Sequence, residues 1–363
     1  MIDRRHLLLG TAAALVPSAP MAAPAAKTED FARRLAQADT AGKLGGLHVL
    51  LVSVGGKLVF EHYGKGADEK RGQPLGTVTF GPKVLHDLRS VSKSVVGLLY
   101  GIALAEGKVP APDASLYAQF PDYAGLAKQP GRDKITVTHA LSMSMGLEWD
   151  ESSVPYSDPR NSETQMDAAP DRYRFVLERK IVDEPGATWT YCGGATALLG
   201  RLIARGTGGT LQAYARRVLF EPLGFGPAEW ATGRDGEPIA ASGLRLLPVD
   251  MLKVGQLVLG RGKWQDKQIV SVDWLRQSLT PKVVLPDGRR YGYHWYLGQH
   301  AVGTPQRMEP WFGGIGWGGQ QLLVFPNLDL VVGINCGNYG RPGREQSKVT
   351  GAVLDDVVMP GFA

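Results

Sequence analysis

Asp87-Leu-Arg-Ser-Val-Ser-Lys-Ser-Val-Val-Gly-Leu-Leu-Tyr-Gly-Ile-Ala-Leu-Ala-Glu-Gly107 is the stretch on which the reading of this 363-residue chain turns. From Val91 to Ala105 it is apolar on nearly every side, as expected of a helix that runs through the middle of a domain with no wet face. Its polar residues gather in the first turn. Ser90 and Lys93 are three apart, so a helix beginning near Ser90 stacks them on one face. The first turn leaves backbone N–H groups without partners and carries partial positive charge, which suits an oxyanion. Burial beside that positive end disfavours an ammonium, so a lysine there can act as base towards a serine hydroxyl. A plainer role also fits, with Ser90 or Ser92 as an N-cap and Lys93 laying its stem along apolar surface. Ser-x-x-Lys alone does not choose between them.

Working outward, Phe31, Leu35 and Ala38 recur at helical spacing before the stretch. Leu47 to Val54 and Lys57 to Tyr63 then read as strands joined by Gly55-Gly56, a two-residue hairpin signal. Gly64 to Gly76 is polar and glycine-rich and is expected to be a loop. After the central helix the character is helices and loops: helices are expected over 136–145, 171–182, 195–205, 210–219, 249–259 and 271–279, with Ser271 a cap, and Ser152 to Pro170 as a long exposed loop. Strand character returns over 291–297, 320–325 and 330–335. Val349, Ala352, Val353 and Val357 then mark a closing helix. The order predicts an α+β fold: an antiparallel sheet from both chain ends, flanked by the terminal helices, with a large helical region inserted. The expected boundaries are 26–88 with 285–363 for the sheet unit and 89–284 for the helical region.

The chain opens with Asp3-Arg4-Arg5-His6, an apolar run from Leu7 to Val16 and a small-residue tract to Ala26. This is the pattern of a twin-arginine-like export signal over residues 1–25, with cleavage after Ala25 and a periplasmic address. The apolar run is shorter than the ~20 residues a membrane span needs, and no later stretch approaches that length. The formal charge of +5 is spread among acids rather than gathered in a stripe, so no nucleic-acid partner is expected. Cys192 and Cys336 lie in no zinc or cluster pattern and read as buried free thiols, with a disulfide between them the alternative in an oxidising compartment. No cofactor is expected. No His-Glu-x-x-His spacing argues for a metal.

Two further features bear on Ser90. Thr190-Tyr191-Cys192-Gly193-Gly194 fixes a tyrosine just before a helix, where its hydroxyl could exchange protons beside a cation such as Lys93. The other reading is a tyrosine packed on the core. Gly313-Gly314-Ile315-Gly316-Trp317-Gly318-Gly319-Gln320-Gln321 precedes a strand, and glycines there let a backbone or ligand come close. An N–H at Gln320 could join that of Ser90 as an oxyanion hole. His139 reads as structural, His294 as a strand residue facing cleft or solvent, and Asp150 and Glu151 as solvated. No Gly-x-Ser-x-Gly surrounds Ser90, which speaks against an α/β-hydrolase.

Taken together, Ser90-Val91-Ser92-Lys93, Tyr191-Cys192-Gly193 and Trp317-Gly318-Gly319 resemble the serine hydrolases of the penicillin-recognising, β-lactamase-like family. The class C branch, with its Trp-Gly-Gly esterases and 6-aminohexanoate-dimer hydrolases, is the most similar. The resemblance implies a Ser90 nucleophile, Lys93 and Tyr191 as general base and acid, and Trp317, Gly318, Gly319, Gln320 and Gly193 around the substrate. The chain departs from the β-lactamase pattern in two places, with Gly193 where asparagine is usual and Trp317 where lysine is usual. A neutral indole cannot hold a β-lactam carboxylate as an ammonium does, so an ester or small amide is the expected substrate. A D-amino-acid peptidase or β-lactamase on the same fold, or a non-catalytic envelope binding protein, are the alternatives.

Overall fold

Gly55 and Gly56 both take positive φ, 57° and 73°, the twist that joins two antiparallel strands tightly. Strands β1 (Leu47–Val54) and β2 (Lys57–Tyr63) pair across them. The computed structural model describes residues 28–363; the expected leader lies outside them. The other edge of β1 pairs antiparallel with β13 (Leu330–Cys336) from the far end of the chain, Leu50 opposite Ile334 and Val52 opposite Val332. The sheet continues through β12 (Gln320–Phe325), β11 (Arg307–Gly316), β10 (Tyr296–Val302), β9 (Arg290–Tyr291) and β8 (Val283–Val284), giving eight antiparallel strands in the order β8-β9-β10-β11-β12-β13-β1-β2. The fold is α+β.

Both terminal helices cover one face of the sheet. Helix α1 (Thr28–Thr40) buries Phe31, Leu35 and Ala38 there, and α9 (Gly343–Ala352), continued to Val358 by a wider turn, adds Val349, Val353 and Val357. On the opposite face lie α2 (Val91–Ala105) and α7 (Pro248–Leu259). Thirteen of the fifteen residues of α2 are buried, so the helix is held by packing rather than by a polar face. At about 1.5–3 kcal/mol for each buried Leu, Ile or Val, Val95, Leu98 and Leu99 alone outweigh any single polar contact nearby. Trp274 of α8 (Val272–Ser278) lies against Gly101 and donates its indole N–H to Gly97 O at 2.9 Å. Ser271 caps α8, accepting from Trp274 N.

Several expectations change. The segment from Gly64 to Gly76 is a hairpin, β3 (Lys65–Lys70) with β4 (Gln73–Thr79), turning at Arg71-Gly72 with φ 46° and 83°. The stretch from Ser152 to Pro170 contains α4 (Ser162–Ala168), capped by Asn161 and burying Met166. The helices expected over 136–145 and 171–182 shorten to α3 (Val137–Leu141) and α5 (Arg172–Leu177). Ten residues of β11 had no counterpart in the sequence reading, because Pro310 and three glycines interrupt its strand pattern. His294 lies in no strand: it sits at φ 60° on the turn between β9 and β10, buried behind α2. A small sheet of β5 (His86–Asp87), β7 (Leu244–Leu246) and β6 (Glu229–Trp230) carries the chain into α2.

Candidate active site

The turn into α2 is set by Arg89, which takes φ 47°, a rare conformation for a side chain of this size. Its guanidinium is anchored by Asp87 at 3.1 Å and by Glu69, and lies 4.7 Å over the Tyr339 ring. Ser90 follows, and its hydroxyl makes no capping bond. That hydroxyl instead accepts from Lys93 Nζ at 3.0 Å, while Nζ also donates to Ala241 O at 3.1 Å. Ser92 spends its hydroxyl on Arg89 O at 2.6 Å. The turn's bonds start at Val91 N, leaving the Ser90 N–H without an acceptor among the described residues.

Tyr191 stands on the loop before α6 (Gly193–Thr207), with Lys93 Nζ 4.7 Å from its ring centroid. Burial drives its phenol well above the ordinary range, the nearby Glu151 adds to this, and a hydrogen bond with Ser90 opposes it. Tyr191 is therefore a neutral proton donor near pH 7. Trp189, Tyr291 and Tyr296 form an aromatic wall beside it, with ring centroids 4.9–6.3 Å apart.

Sequence reasoning missed two buried carboxyl groups. Glu151, expected in solvent, is buried, and its Oε2 accepts from Gly193 N at 2.6 Å and Trp149 Nε1 at 2.9 Å, its Oε1 from Tyr156 at 3.1 Å. Asp150, its neighbour, is exposed. Glu163 comes from the first turn of α4 and accepts from Ser242 at 2.9 Å. Burial and repulsion by Glu163 push the Glu151 carboxyl up; Glu163, although burial opposes it, is held low by Lys93 and by a hydrogen bond from Glu151. Of the two, Glu151 is the carboxyl whose surroundings favour the protonated form. A Cβ on Gly193 would stand 3.0 Å from Glu163 Cδ and 3.2 Å from Glu151 Oε2. The glycine at the position where the resembling family carries asparagine is what leaves room for this pair. The only local signals were Asn161, a cap two residues before Glu163, and the apolar Met166.

Arg71, at the tip of the unexpected hairpin, reaches the same cluster: it contacts Ser242 and pairs with Asp167 at 2.7 Å. Burial and Glu163, against Arg71, raise Asp167 to about 6.

The glycine-rich segment divides. Trp317 rims the site through an edge-on contact with Tyr156, 5.6 Å between centroids, and its indole N–H donates to Tyr339 O at 2.8 Å. Gly318 and Gly319 form the turn between β11 and β12 at φ 89° and 95°, and Gly318 N is taken by Gln346 at 2.7 Å. Gln320 points its side chain into the sheet, donating to Cys336 O at 2.6 Å, so that side chain is spent away from Ser90. Gly314 and Gly316 are what α2 presses on: a Cβ on Gly314 would meet Ser94 Oγ at 2.9 Å, and one on Gly316 would meet Leu88 O at 2.5 Å. Pairing of β10 with β11 ends at Tyr296 opposite Gly313, so the edge of 314–316 carries no strand partner on that side.

His139 closes a capping box at the start of α3, a structural role. His294 Nε2 lies 3.1 Å from Thr196 Oγ1, and burial followed by Lys93 lowers the imidazole to about 3. Cys192 and Cys336 are buried free thiols. Among the described residues one group, His48, Asp68 and His86, brings possible metal-ligand atoms within 4.8 Å of one another. No described helix is long and apolar enough to cross a membrane.

Comparison with known proteins adds four findings. The family model described as Beta-lactamase matches residues 31–349. The 6-aminohexanoate-dimer hydrolase of Paenarthrobacter ureafaciens is 26% identical over 337 residues, covering 87% of this chain and 79% of that protein. Among solved structures, a penicillin-binding protein homologue from Caulobacter crescentus has a TM-score of 0.67 at 18% identity, over 92% of this chain and 98% of that one. The hydrolase EstCE1, described as having promiscuous acyltransferase activity, has 0.65 at 15%, over 90% and 99%. At these identities the structural likeness concerns the fold.

Proposed function

This chain belongs to the Beta-lactamase family, and from that premise we propose that it hydrolyses an ester or small amide through an acyl-enzyme on Ser90. The observation that carries this reading is the 3.0 Å contact from Lys93 Nζ to a Ser90 hydroxyl that no cap occupies. Because Tyr191 keeps its proton, Lys93 is the group left to accept the proton of Ser90 as Oγ bonds to the carbonyl carbon. The oxygen that becomes negative is met by the free N–H of Ser90 and by the unpartnered edge of β11 at 314–316, which faces α2 more directly than Gln320 does. As the carbonyl re-forms, the bond to the leaving group breaks and Tyr191 protonates that group, recovering its proton from Lys93. Water then attacks the acyl carbon with the same pair accepting its proton; the bond from that carbon to Ser90 Oγ breaks and the pair returns the proton to Oγ, which releases the acid and restores Ser90.

The aromatic wall and the neutral Trp317 favour an uncharged, apolar acyl part over a β-lactam carboxylate. The 6-aminohexanoate dimer, named in the Paenarthrobacter relative, and other linear amides belong in the assay panel beside short esters and nitrocefin. A chromogenic ester and a fluorophosphonate probe test the reading: turnover and a single adduct on Ser90 are expected for the wild type and neither for Ser90→Ala, and equal labelling of both overturns it. Export is part of the same proposal, and fractionation of producing cells with intact-mass measurement tests for loss of residues 1–25.

A further inference from the structure

We propose that His48, Asp68 and His86 form a binding site for one divalent transition-metal ion of the zinc class, separate from the serine chemistry. His48 lies on β1, Asp68 on β3 and His86 on β5, and all three are buried. His48 Nδ1 and His86 Nε2 are 3.0 Å apart, and His86 Nε2 is 3.8 Å from Asp68 Oδ1. Ligands about 2.0–2.1 Å from a tetrahedral ion stand about 3.3 Å from one another, between these two spacings. Two imidazoles and one carboxylate suit zinc, cobalt or iron rather than magnesium or calcium.

The surroundings supply what such ligands require. A carbonyl can only accept, so the 3.1 Å contact of His86 Nδ1 with Asp87 O places the ring proton on Nδ1 and leaves Nε2 bare, facing the group. This is the outer-sphere bond that orients a metal-binding histidine. Tyr339 donates to Asp68 Oδ1 at 3.2 Å. Asp68 Oδ2 is buried with no hydrogen-bond partner, its nearest cation Arg245 at 4.0 Å, which is costly unless another cation is supplied. Phe80 stacks on His48 at 4.2 Å, and a Cβ on Gly66 would stand 2.6 Å from its Nε2, so the ring is seated with Nδ1 towards His86. Three carboxylates, Asp68, Glu69 and Asp87, face two guanidinium groups, Arg89 and Arg245, so an added cation meets an excess of negative charge. An ion here would staple the hairpin β3–β4 and the sheet to the segment that ends at Ser90.

The alternative is a plain hydrogen bond from His48 Nδ1–H to His86 Nε2, which needs no metal, and titration separates the two. Full-length protein stripped with a chelator and dialysed is titrated with zinc chloride and, separately, cobalt chloride. One equivalent of zinc retained per chain after desalting, and the visible absorption of four-coordinate cobalt, are expected. Binding at least about 100-fold weaker is expected in His48→Gln and in Asp68→Asn. His300→Gln, which removes the surface pair of His300 with Asp355, should bind as the wild type does. Less than about a tenth of an equivalent in the wild type, or retention by His48→Gln equal to the wild type's, overturns the proposal. Either outcome is independent of whether Ser90 is acylated.

Discussion

Two buried polar clusters lie on either side of the turn that launches α2, and they are built on opposite principles. On the helical side, Lys93, Glu151, Glu163, Ser242, Arg71 and Asp167 crowd proton-bearing groups together, with donors supplied from four separate segments to the two glutamates. On the sheet side, His48, Asp68 and His86 are poor in donors and leave a carboxylate oxygen bare, while Arg245 and Arg89 tie the flanking Asp87. The first arrangement can pass a proton, because removing or adding one merely redistributes charge among partners already in place. The second cannot do so cheaply and is better suited to hold something still. Polar burial by itself therefore says little about chemistry; the number of exchangeable protons and how they are shared says much more.

The largest test breaks the first cluster. Lys93→Ala should lower kcat for ester hydrolysis by about 10³-fold or more, and Ser90→Ala/Lys93→Ala should be no worse than the poorer single variant, because residues acting as a unit are not additive. Activity within tenfold of wild type would remove Lys93 from the chemistry. A smaller effect, on stability instead, is expected across the turn: Arg245→Met takes from Asp87 one of its two guanidinium partners and leaves Arg89, and should cost about 1.5–3 kcal/mol in urea denaturation.

Smaller changes sharpen the contrast. Glu163→Gln keeps the shape and removes the charge beside Lys93; kcat should fall about 10–100-fold and the acid limb of the pH–rate profile should move to lower pH, whereas a merely structural glutamate would lower stability and leave that limb in place. Gly193→Ala presses a methyl on both carboxyls and should cost about 1–3 kcal/mol, read as a lower Tm. The smallest effect concerns His294, which is buried and contacts Thr196. Its folded-state pKa, about 3, lies below its ordinary 6.5, so the unfolded chain binds a proton first and stability falls as pH drops from 6.5 towards 3. Each pH unit in that window costs up to about 1.4 kcal/mol. His294→Gln should lose correspondingly less stability between pH 7.5 and 5.5, measured by urea denaturation, and an unchanged pH dependence would show that His294 is not the group titrating.

What could be read without coordinates was whatever is local or periodic. The apolar run from Val91 to Ala105, the spacing of Ser90 and Lys93, the Gly55-Gly56 turn and the alternation of the last two strands each depend on neighbours within a few residues. They carried the α+β architecture and the central pair of the site. Glu163, Arg71 and Asp68 were not legible: each lies in a short, polar segment whose pattern resembles a solvated loop, and packing of elements far along the chain draws Glu163 and Asp68 into the interior and Arg71 part of the way. The edge of β11 at 314–316 was hidden for a related reason, since its glycines weaken the strand signal and earn their place only by letting α2 approach. Amphipathic periodicity is a statement about one element facing solvent or core, and a single chain carries it in its order of residues. Which charges meet in the interior is decided by the packing of whole elements, because desolvation is offset by partners the sequence places anywhere.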